Sequence, residues 1–160
     1  MDTKTMATKE FFDMVAFFEG CKLSAYTCPA GIVTIGYGNT YYEDGTPVKL
    51  GDVITKERAK QLKLNILQGF IKELKSLLKK PYQDHEFYAM LSLLYNIGGK
   101  QFSKSSVLKY FNQDDKNMAA ESFLLWNRSS GKVLLGLVRR RRAEKQMFLG
   151  KDWQDYDRVE

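Results

Sequence analysis

Glu19, Cys28 and Thr34 are side chains that could do chemistry, and they stand nine and then six positions apart. Glu19 closes a stretch of apolar residues, immediately before Gly20. Helical spacing places Glu19 in the same sector as positions 11, 15 and 18, so partial burial would raise the pKa of its carboxyl group. The negative end of the helix dipole would act in the same direction. A carboxyl group that stays protonated near neutral pH can serve as a general acid.

The other interpretation of Glu19 is a frayed helix end with the side chain in water. The spacing of apolar residues does not decide between the two. The residues that follow are a turn at Pro29-Ala30-Gly31 and a segment of strand formers that ends in "TIGYG". Cys28 precedes that turn and Thr34 follows it. Two further polar side chains therefore follow Glu19 within a short stretch of sequence.

The first elements along the chain are a helix and a small sheet. The pattern predicts a helix over about 8–19, with Thr8 as its N-cap and Gly20 as its stop signal. Residues 33–38 alternate as a strand, with Val33, Ile35 and Tyr37 on one face and Thr34 on the other. Asp44-Gly45 predicts a second turn, leading to Val48.

The rest of the chain is predicted to be helical. A stripe of apolar residues at spacings of three and four indicates one long helix over 55–79, which ends before Pro81. Shorter helices are predicted over 83–96, 104–111, 117–126 and 136–149, with breaks at Gly98-Gly99 and Ser129-Ser130-Gly131. A small sheet near the N-terminus followed by helices is an α+β layout.

Composition limits the class of protein and of partner. The 160 residues, 44% hydrophobic and 28% charged, are typical of one soluble globular domain. No segment has the roughly 20 apolar residues of a membrane span, and the first residues lack a secretion signal, so we expect synthesis in the cytoplasm. Cys21 and Cys28 are then more often free thiols, although a disulfide stays open. A net charge of +6 favours an anionic partner: nucleic acid, an acidic membrane face or a bacterial wall polymer.

Four separated motifs, in order, carry a family resemblance. They are "EGCKLSAYTCPAGIVTIGYGNT", "LLYNIGGKQFSKSSVLKYFN", "WNRSSGKVLLGLVRRRRAEKQMFLG" and "WQDYD". Over about 8–156 the sequence resembles the phage lysozymes of glycoside hydrolase family 24. The resemblance implies a single lysozyme domain over 1–160, with a β lobe at about 20–54 and a helical part at 8–19 and 55–155. The long helix would join the two lobes, and the active-site cleft would lie between them.

The resemblance also implies roles for the three residues. Glu19 would donate a proton to the leaving oxygen, and Thr34 would help to hold the attacking water. Cys28 falls where many family members have an aspartate and some have a cysteine. A thiol with a pKa near 8.5 is only about 3% ionised at pH 7, and nothing obvious in the sequence lowers that pKa. Cys28 could therefore orient the water by weak polar contact, act as a covalent nucleophile, or merely fill space.

Further site residues follow from their positions in the matching motifs. Arg140 is implied to pair with the catalytic glutamate, while a solvated cationic face suits the other three arginines of "RRRR". Substrate contacts are expected from aromatic, hydroxyl and amide side chains: Tyr26, Tyr37, Thr40, Asn96 and Phe102. Core packing is an equal alternative for Tyr37 and Phe102. Asn39 stands where the family usually has histidine, and either side chain could bond the backbone. No cluster has metal-ligand spacing, and we expect neither a metal nor an organic cofactor.

The resemblance thus implies an endolysin, a muramidase that hydrolyses the β-1,4 bond between N-acetylmuramic acid and N-acetylglucosamine in peptidoglycan. Glycan strands would be its partner, and a holin would release it from the host cytoplasm to the wall. We expect a monomer without membrane insertion. One alternative is a lysozyme fold that binds peptidoglycan with weak or no catalysis. The other is a basic nucleic-acid binder, which the scattered basic residues and the lack of a recognised motif disfavour, so no nucleic-acid partner is expected.

Overall fold

The computed structural model describes residues 3–129 and 131–158. The chain divides into two compact units. The first unit comprises Val15–Gly69, and the second comprises Met1–Met14 together with Phe70–Glu160. A sheet with part of a long helix makes up the first unit, and helices dominate the second. The predicted α+β class is confirmed.

Helix α1 spans Thr3–Glu19, so it begins earlier than predicted. Thr8 is not its N-cap, because the Thr8 hydroxyl lies inside the helix and donates to the Tyr88 hydroxyl at 2.9 Å. The end of the helix is where the sequence places it. Gly20 takes a φ of 77°, which favours glycine, and its N–H donates to the Ala16 carbonyl at 2.7 Å. Glu19 is therefore the last helical residue.

The small sheet pairs β1, Lys22–Thr27, antiparallel with β2, Val33–Gly36. Tyr26 stands opposite Thr34 in this ladder, and the register is irregular between Lys22 and Tyr26. Every residue of β1 is exposed or half-buried, and the alternation of Leu23 and Ala25 with polar neighbours is too short to be distinctive. Sequence patterning therefore missed β1, since the period-two signal requires one buried face.

Strand β2 ends at Gly36, two residues before the predicted end. Gly36 and Gly38 have φ values of 65° and 84°, which turn the chain sharply around Tyr37. Ile35 and Asn39 then exchange both backbone hydrogen bonds, at 2.8 and 2.9 Å. Thr34 and Tyr37, predicted on opposite faces, are both buried. The motif "TIGYG" is a strand end followed by a tight turn.

Helix α2 spans Lys56–Leu77 and confirms the predicted long helix. The Thr55 hydroxyl caps it by accepting from the Arg58 N–H at 3.0 Å. Its Leu62 packs with Ile35 and Val48 in the core of the first unit. The sheet and the first part of α2 thus share one apolar cluster, which fixes the strand–turn segment against the helix.

The second unit is built from short helices. These are α3, Asp84–Ile97; α4, Gly99–Ser103; α5, Ser106–Asn112; α6, Lys116–Ser122; and α7, Leu135–Phe148, with 3₁₀ turns at Phe123–Leu125 and Trp153–Arg158. A hairpin of β3, Arg128–Ser129, and β4, Lys132–Val133, precedes α7 and was not predicted. Aromatic rings of Phe111, Phe123 and Phe148 meet in the core.

Candidate active site

Glu19 is held at the end of α1 and does not project into open water. Its side chain is 17% exposed, and the Lys63 ammonium lies 3.4 Å from its Oε2 atom. The same ammonium donates to the Tyr37 carbonyl at 3.0 Å. The interpretation of Glu19 as a frayed, solvated helix end is therefore wrong. The partial exposure leaves part of the carboxyl group accessible, as proton transfer to a substrate requires.

The turn after β2 passes directly beside this carboxyl group. A Cβ atom added to Gly38 would lie 3.4 Å from the Glu19 Oε2 atom and 3.7 Å from its Cδ atom. Gly38 also has a φ of 84°, a conformation that other residues rarely adopt. The second glycine of "GYG" is thus favoured by the turn, and a Cβ atom at this position would be in ordinary contact with Glu19.

Lys63 is a residue that sequence analysis missed. Its side chain is fully buried, although lysine is rarely found so unless it is paired. The apolar stripe predicted for α2 includes Ala59, Leu62 and Ile66, and the sequence analysis assigned no role to Lys63. Ala59, Lys63 and Leu67 recur every four residues, so their spacing places Lys63 on a buried face of the helix. That spacing was the available signal.

Cys28 and Thr34 come together across the turn between β1 and β2. The backbone N–H of Ile32 has the largest effect and lowers the pKa of the Cys28 thiol. Desolvation opposes it, while smaller contributions from Ala30 and Thr34 also lower the pKa. The Thr34 hydroxyl also donates to the Ile32 carbonyl at 3.0 Å. Because that hydroxyl carries one hydrogen, donation to Ile32 and donation to the thiol are alternatives. The turn therefore supplies the lowering of the Cys28 pKa that the sequence did not reveal.

The other expected contacts in the first unit differ in accessibility. Tyr26 and Thr40 are half-buried. Tyr37 is only 2% exposed, so its ring packs in the core. Its backbone carbonyl, and not its ring, accepts the hydrogen bond from Lys63 beside Glu19. Asn39 is buried, and its Oδ1 atom has no hydrogen-bond partner among the described residues. This oxygen therefore makes no hydrogen bond to the backbone of the described residues.

Asn96 and Phe102 lie in the second unit. Asn96 is exposed, and its Oδ1 atom accepts a hydrogen bond from Arg141. It borders a cavity of about 320 Å³ whose lining includes Gln101, Trp126 and Arg128. Phe102 is fully buried, which is the core-packing alternative, so it offers no ring face to a sugar. Two amides, an indole and the guanidinium groups of Arg128 and Arg141 make this cavity suited to a polar ligand.

The arginine run has two buried members. Arg140 contacts Glu144 Oε2 through Nε at 3.3 Å and Ser92 through Nη2 at 3.2 Å. Arg141 contacts Glu144 Oε1 at 2.6 Å and the Trp126 carbonyl at 2.7 Å. Assigning Arg141 to a solvated face was therefore wrong, because this side chain bridges α7 to the segment before the hairpin. The pairing of Arg140 with Glu19 stays a prediction.

Metal ligands and thiols complete the inventory of reactive groups. Among residues 3–129 and 131–158, no three His, Cys, Asp or Glu side chains gather as a metal site would require. Cys21 and Cys28 are both free thiols, which is the alternative that the sequence analysis favoured. The carboxyl, thiol and hydroxyl groups described above are the candidate reactive groups of this site.

Comparison with known proteins gives consistent matches in sequence and structure. The family model for phage lysozyme matches residues 16–144. The endolysin of Salmonella phage P22 is 39% identical over 131 residues, which is 82% of this chain and 89% of that protein. An endolysin of Acyrthosiphon pisum secondary endosymbiont phage 1 is 35% identical, over 84% of this chain and 92% of that protein.

Solved structures agree with the sequence matches. The endolysin of Escherichia coli O157:H7 phage FAHEc1 superposes with a TM-score of 0.83 at 37% identity, covering 93% of this chain and 94% of that one. A mutant of P22 lysozyme superposes with a TM-score of 0.79 at 35% identity, covering 89% of this chain and 96% of that one. The matched family segment contains Glu19, Cys28, Thr34 and Lys63. The chain therefore belongs to the phage lysozyme family, as a glycoside hydrolase of the endolysin type that lyses bacteria through their peptidoglycan.

Proposed function

We propose that the protein cleaves the β-1,4 bond between N-acetylmuramic acid and N-acetylglucosamine, with Glu19 as the proton donor. The observation that carries the proposal is the placement of Glu19: a partly exposed carboxyl group at a helix end, fixed beside Gly38 and Lys63. Such positioning supports general-acid catalysis, because the acid must lie within hydrogen-bond reach of the leaving oxygen.

The reaction divides between Glu19 and the Cys28–Thr34 pair. Glu19 donates its proton to the glycosidic oxygen as the bond from that oxygen to the anomeric carbon breaks, and positive charge develops on the sugar ring. A water molecule held near Thr34 and Cys28 attacks the anomeric carbon and releases one proton to bulk water, from which Glu19 is reprotonated. A single general acid contributes about 10²–10⁴-fold. That range is compatible with a lysozyme that has cysteine where many relatives have aspartate.

Cys28 is assigned to orienting the water. The lowered pKa of its thiol increases the thiolate fraction at neutral pH, and a thiolate near the developing charge stabilises it. This observation disfavours the role of an inert filler. Mass spectrometry of the enzyme during turnover tests the alternative that Cys28 is a covalent nucleophile, since a sugar attached to Cys28 would contradict our assignment. NMR of the first product anomer would distinguish inversion from retention.

Substrate contacts are proposed on both units. Tyr26 and Thr40 are partly accessible in the first unit, and Asn96 borders the cavity beside Trp126 in the second. Aromatic faces suit sugar rings, while amide and hydroxyl groups suit N-acetyl groups. Tyr37 and Phe102 are left out of the proposal because both rings are buried.

Delivery to the wall is proposed to depend on a separate holin, with the monomeric enzyme held in the host cytoplasm until then. None of the helices in residues 3–129 and 131–158 combines the length and the apolar character needed to cross a bilayer. The net charge of +6 would favour adhesion to the anionic wall, and salt should weaken that adhesion.

Glu19→Gln tests the proposed function. We expect it to clear permeabilised bacteria at least about 100-fold more slowly than wild type, because the amide cannot donate a carboxyl proton. Glu10→Gln is the matched control: Glu10 is an exposed glutamate on the same helix, and its variant should clear cells like wild type. Circular dichroism should show both variants folded.

Two outcomes would contradict the proposal. Clearing by Glu19→Gln at the rate of Glu10→Gln would remove Glu19 from the chemistry. No clearing by folded wild-type protein, with retained binding to isolated peptidoglycan, would favour the binding-module alternative instead.

A further inference from the structure

We propose that Lys63 is a positioning residue for Glu19, holding the carboxyl group in the orientation from which it protonates the substrate. The inference deepens the proposed function and rests on it. Lys63 is not itself a proton donor to substrate in this proposal, because its side chain is only 1% exposed and cannot touch a ligand. It acts through Glu19 alone.

The burial of Lys63 first requires an explanation. Its neighbours one turn away on the same helix are Ala59 and Leu67, both fully buried apolar residues. An ammonium group in such surroundings loses its hydration, which is unfavourable unless charged and polar partners replace the water. An apolar side chain would satisfy this position for packing alone. The contacts of the ammonium group therefore explain why a lysine is buried at this position.

Those contacts join three segments of the first unit. The Lys63 ammonium donates to the Tyr37 carbonyl at 3.0 Å and lies 3.4 Å from Glu19 Oε2. The Tyr37 carbonyl is itself fixed, since it sits in the tight turn closed by the Ile35–Asn39 backbone bonds. Lys63 is thus hydrogen-bonded to the turn, and its positive charge lies beside Glu19 at the end of α1.

Gly38 lies beside the same carboxyl oxygen of Glu19 that Lys63 contacts. The atom nearest to a Cβ at Gly38 would be Glu19 Oε2, which is also the atom that Lys63 contacts. The ammonium therefore contacts one edge of the carboxyl group, at the place where the absence of a side chain on Gly38 leaves room for it. A glutamate side chain at a helix terminus has several rotatable bonds, so constraining one edge selects among its orientations.

Orientation matters for this chemistry. Displacing a catalytic group by about 1 Å can cost on the order of 100-fold in rate. Loss of the Lys63 contact should therefore reduce the rate of the chemical step. Because Lys63 does not touch the substrate, binding should change little, so the effect should appear in kcat and not in KM.

The test compares Lys63→Met with Lys60→Met. Methionine is similar in length to lysine and suits a buried site, but it carries no charge. Lys60 is an exposed lysine on the same helix, so its variant matches the loss of charge without touching Glu19. On soluble peptidoglycan fragments, we expect Lys63→Met to lower kcat by about 10–100-fold with KM within about twofold of wild type. Lys60→Met should retain both constants.

A kcat for Lys63→Met equal to that of Lys60→Met would overturn the proposal, as would a loss confined to KM. If Lys63→Met does not fold, Lys63→Gln replaces it, because its amide still donates to the Tyr37 carbonyl without a charge. The same kcat loss is expected, and its absence again overturns the proposal. Glu19→Gln measured alongside separates the two hypotheses: full activity there defeats the proposed function, whereas an inactive Glu19→Gln beside a fully active Lys63→Met defeats only the positioning role.

Discussion

Each unit of the molecule buries a cluster of cationic and carboxylate side chains, and the two clusters are built differently. In the second unit, Glu144 is fully buried and is contacted by Arg140, Arg141 and Ser92, at 3.3, 2.6 and 2.5 Å. In the first unit, Glu19 is 17% exposed, and the contact with Lys63 is 3.4 Å long. One carboxylate is enclosed by short bonds, and the other is held at one edge and open to solvent.

This difference separates a structural carboxylate from a candidate catalytic one. A buried carboxylate with several charge-assisted bonds is tied into its network, and it has no exposed edge to offer a substrate. A general acid must instead be oriented and still reachable. Proton transfer by Glu144 would require it to leave its arginines, whereas Glu19 can act where it lies.

Breaking the enclosed cluster should give the largest change in stability. Glu144→Gln leaves two buried guanidinium groups without their carboxylate, and we expect it to lower the free energy of unfolding by about 3–5 kcal/mol. The measurement is urea denaturation followed by circular dichroism. Glu121→Gln is the control, because the Glu121 carboxylate is largely exposed where it pairs with Lys145, and its loss should cost less than about 1 kcal/mol. Equal losses in the two variants would mean that the enclosed network is no more important than a surface pair.

Changing the thiol beside Thr34 should alter activity more than stability. Cys28→Asp should retain or raise kcat, because a carboxylate supplies full negative charge where the thiolate supplies part of it. Cys28→Ala should lower kcat by about tenfold, corresponding to about 1.4 kcal/mol of lost transition-state stabilisation. Cys21→Ala, the other free thiol, is the control and should leave kcat unchanged. Wild-type kcat in Cys28→Ala would return Cys28 to the role of filler.

The smallest expected effect concerns a surface pair of the first unit. Arg58 hydrogen-bonds Glu43 and lowers its pKa from 4.5 to about 2, with help from Asn65. A carboxyl pKa that is lower in the folded state stabilises the fold above pH 4.5, and that stabilisation declines as pH falls toward 2. Both side chains are substantially exposed, so screening limits the pair to about 1 kcal/mol or less.

Arg58→Met measures this contribution. It should lower the free energy of unfolding by up to about 1 kcal/mol at pH 7, and the difference from wild type should shrink toward about pH 3. Lys56→Met, at an exposed lysine of the same helix, controls for the loss of one positive charge. A difference that is the same at both pH values would show that Glu43 is not the partner responsible.

Local signals along the chain predicted much of the fold. The end of α1 at Glu19 follows from Gly20, whose positive φ is favourable only for such a residue. The long helix follows from apolar spacing and a threonine cap. The catalytic assignments of Glu19, Cys28 and Thr34 came from the order of family motifs, and they stay predictions until the variants are measured.

The sequence by itself determined those features that depend on residues close together along the chain: helix periods, caps, turns and the family motifs that contain them. What only the tertiary structure decided was which polar side chains are buried and what they contact. Lys63 lies 26 residues from Tyr37 and 44 from Glu19, and Arg141 lies 45 from Asn96. Whatever its neighbours along the chain, a lysine or arginine on a helix can have its side chain exposed to solvent. It becomes buried only where distant segments fold together and supply the partners that replace its water.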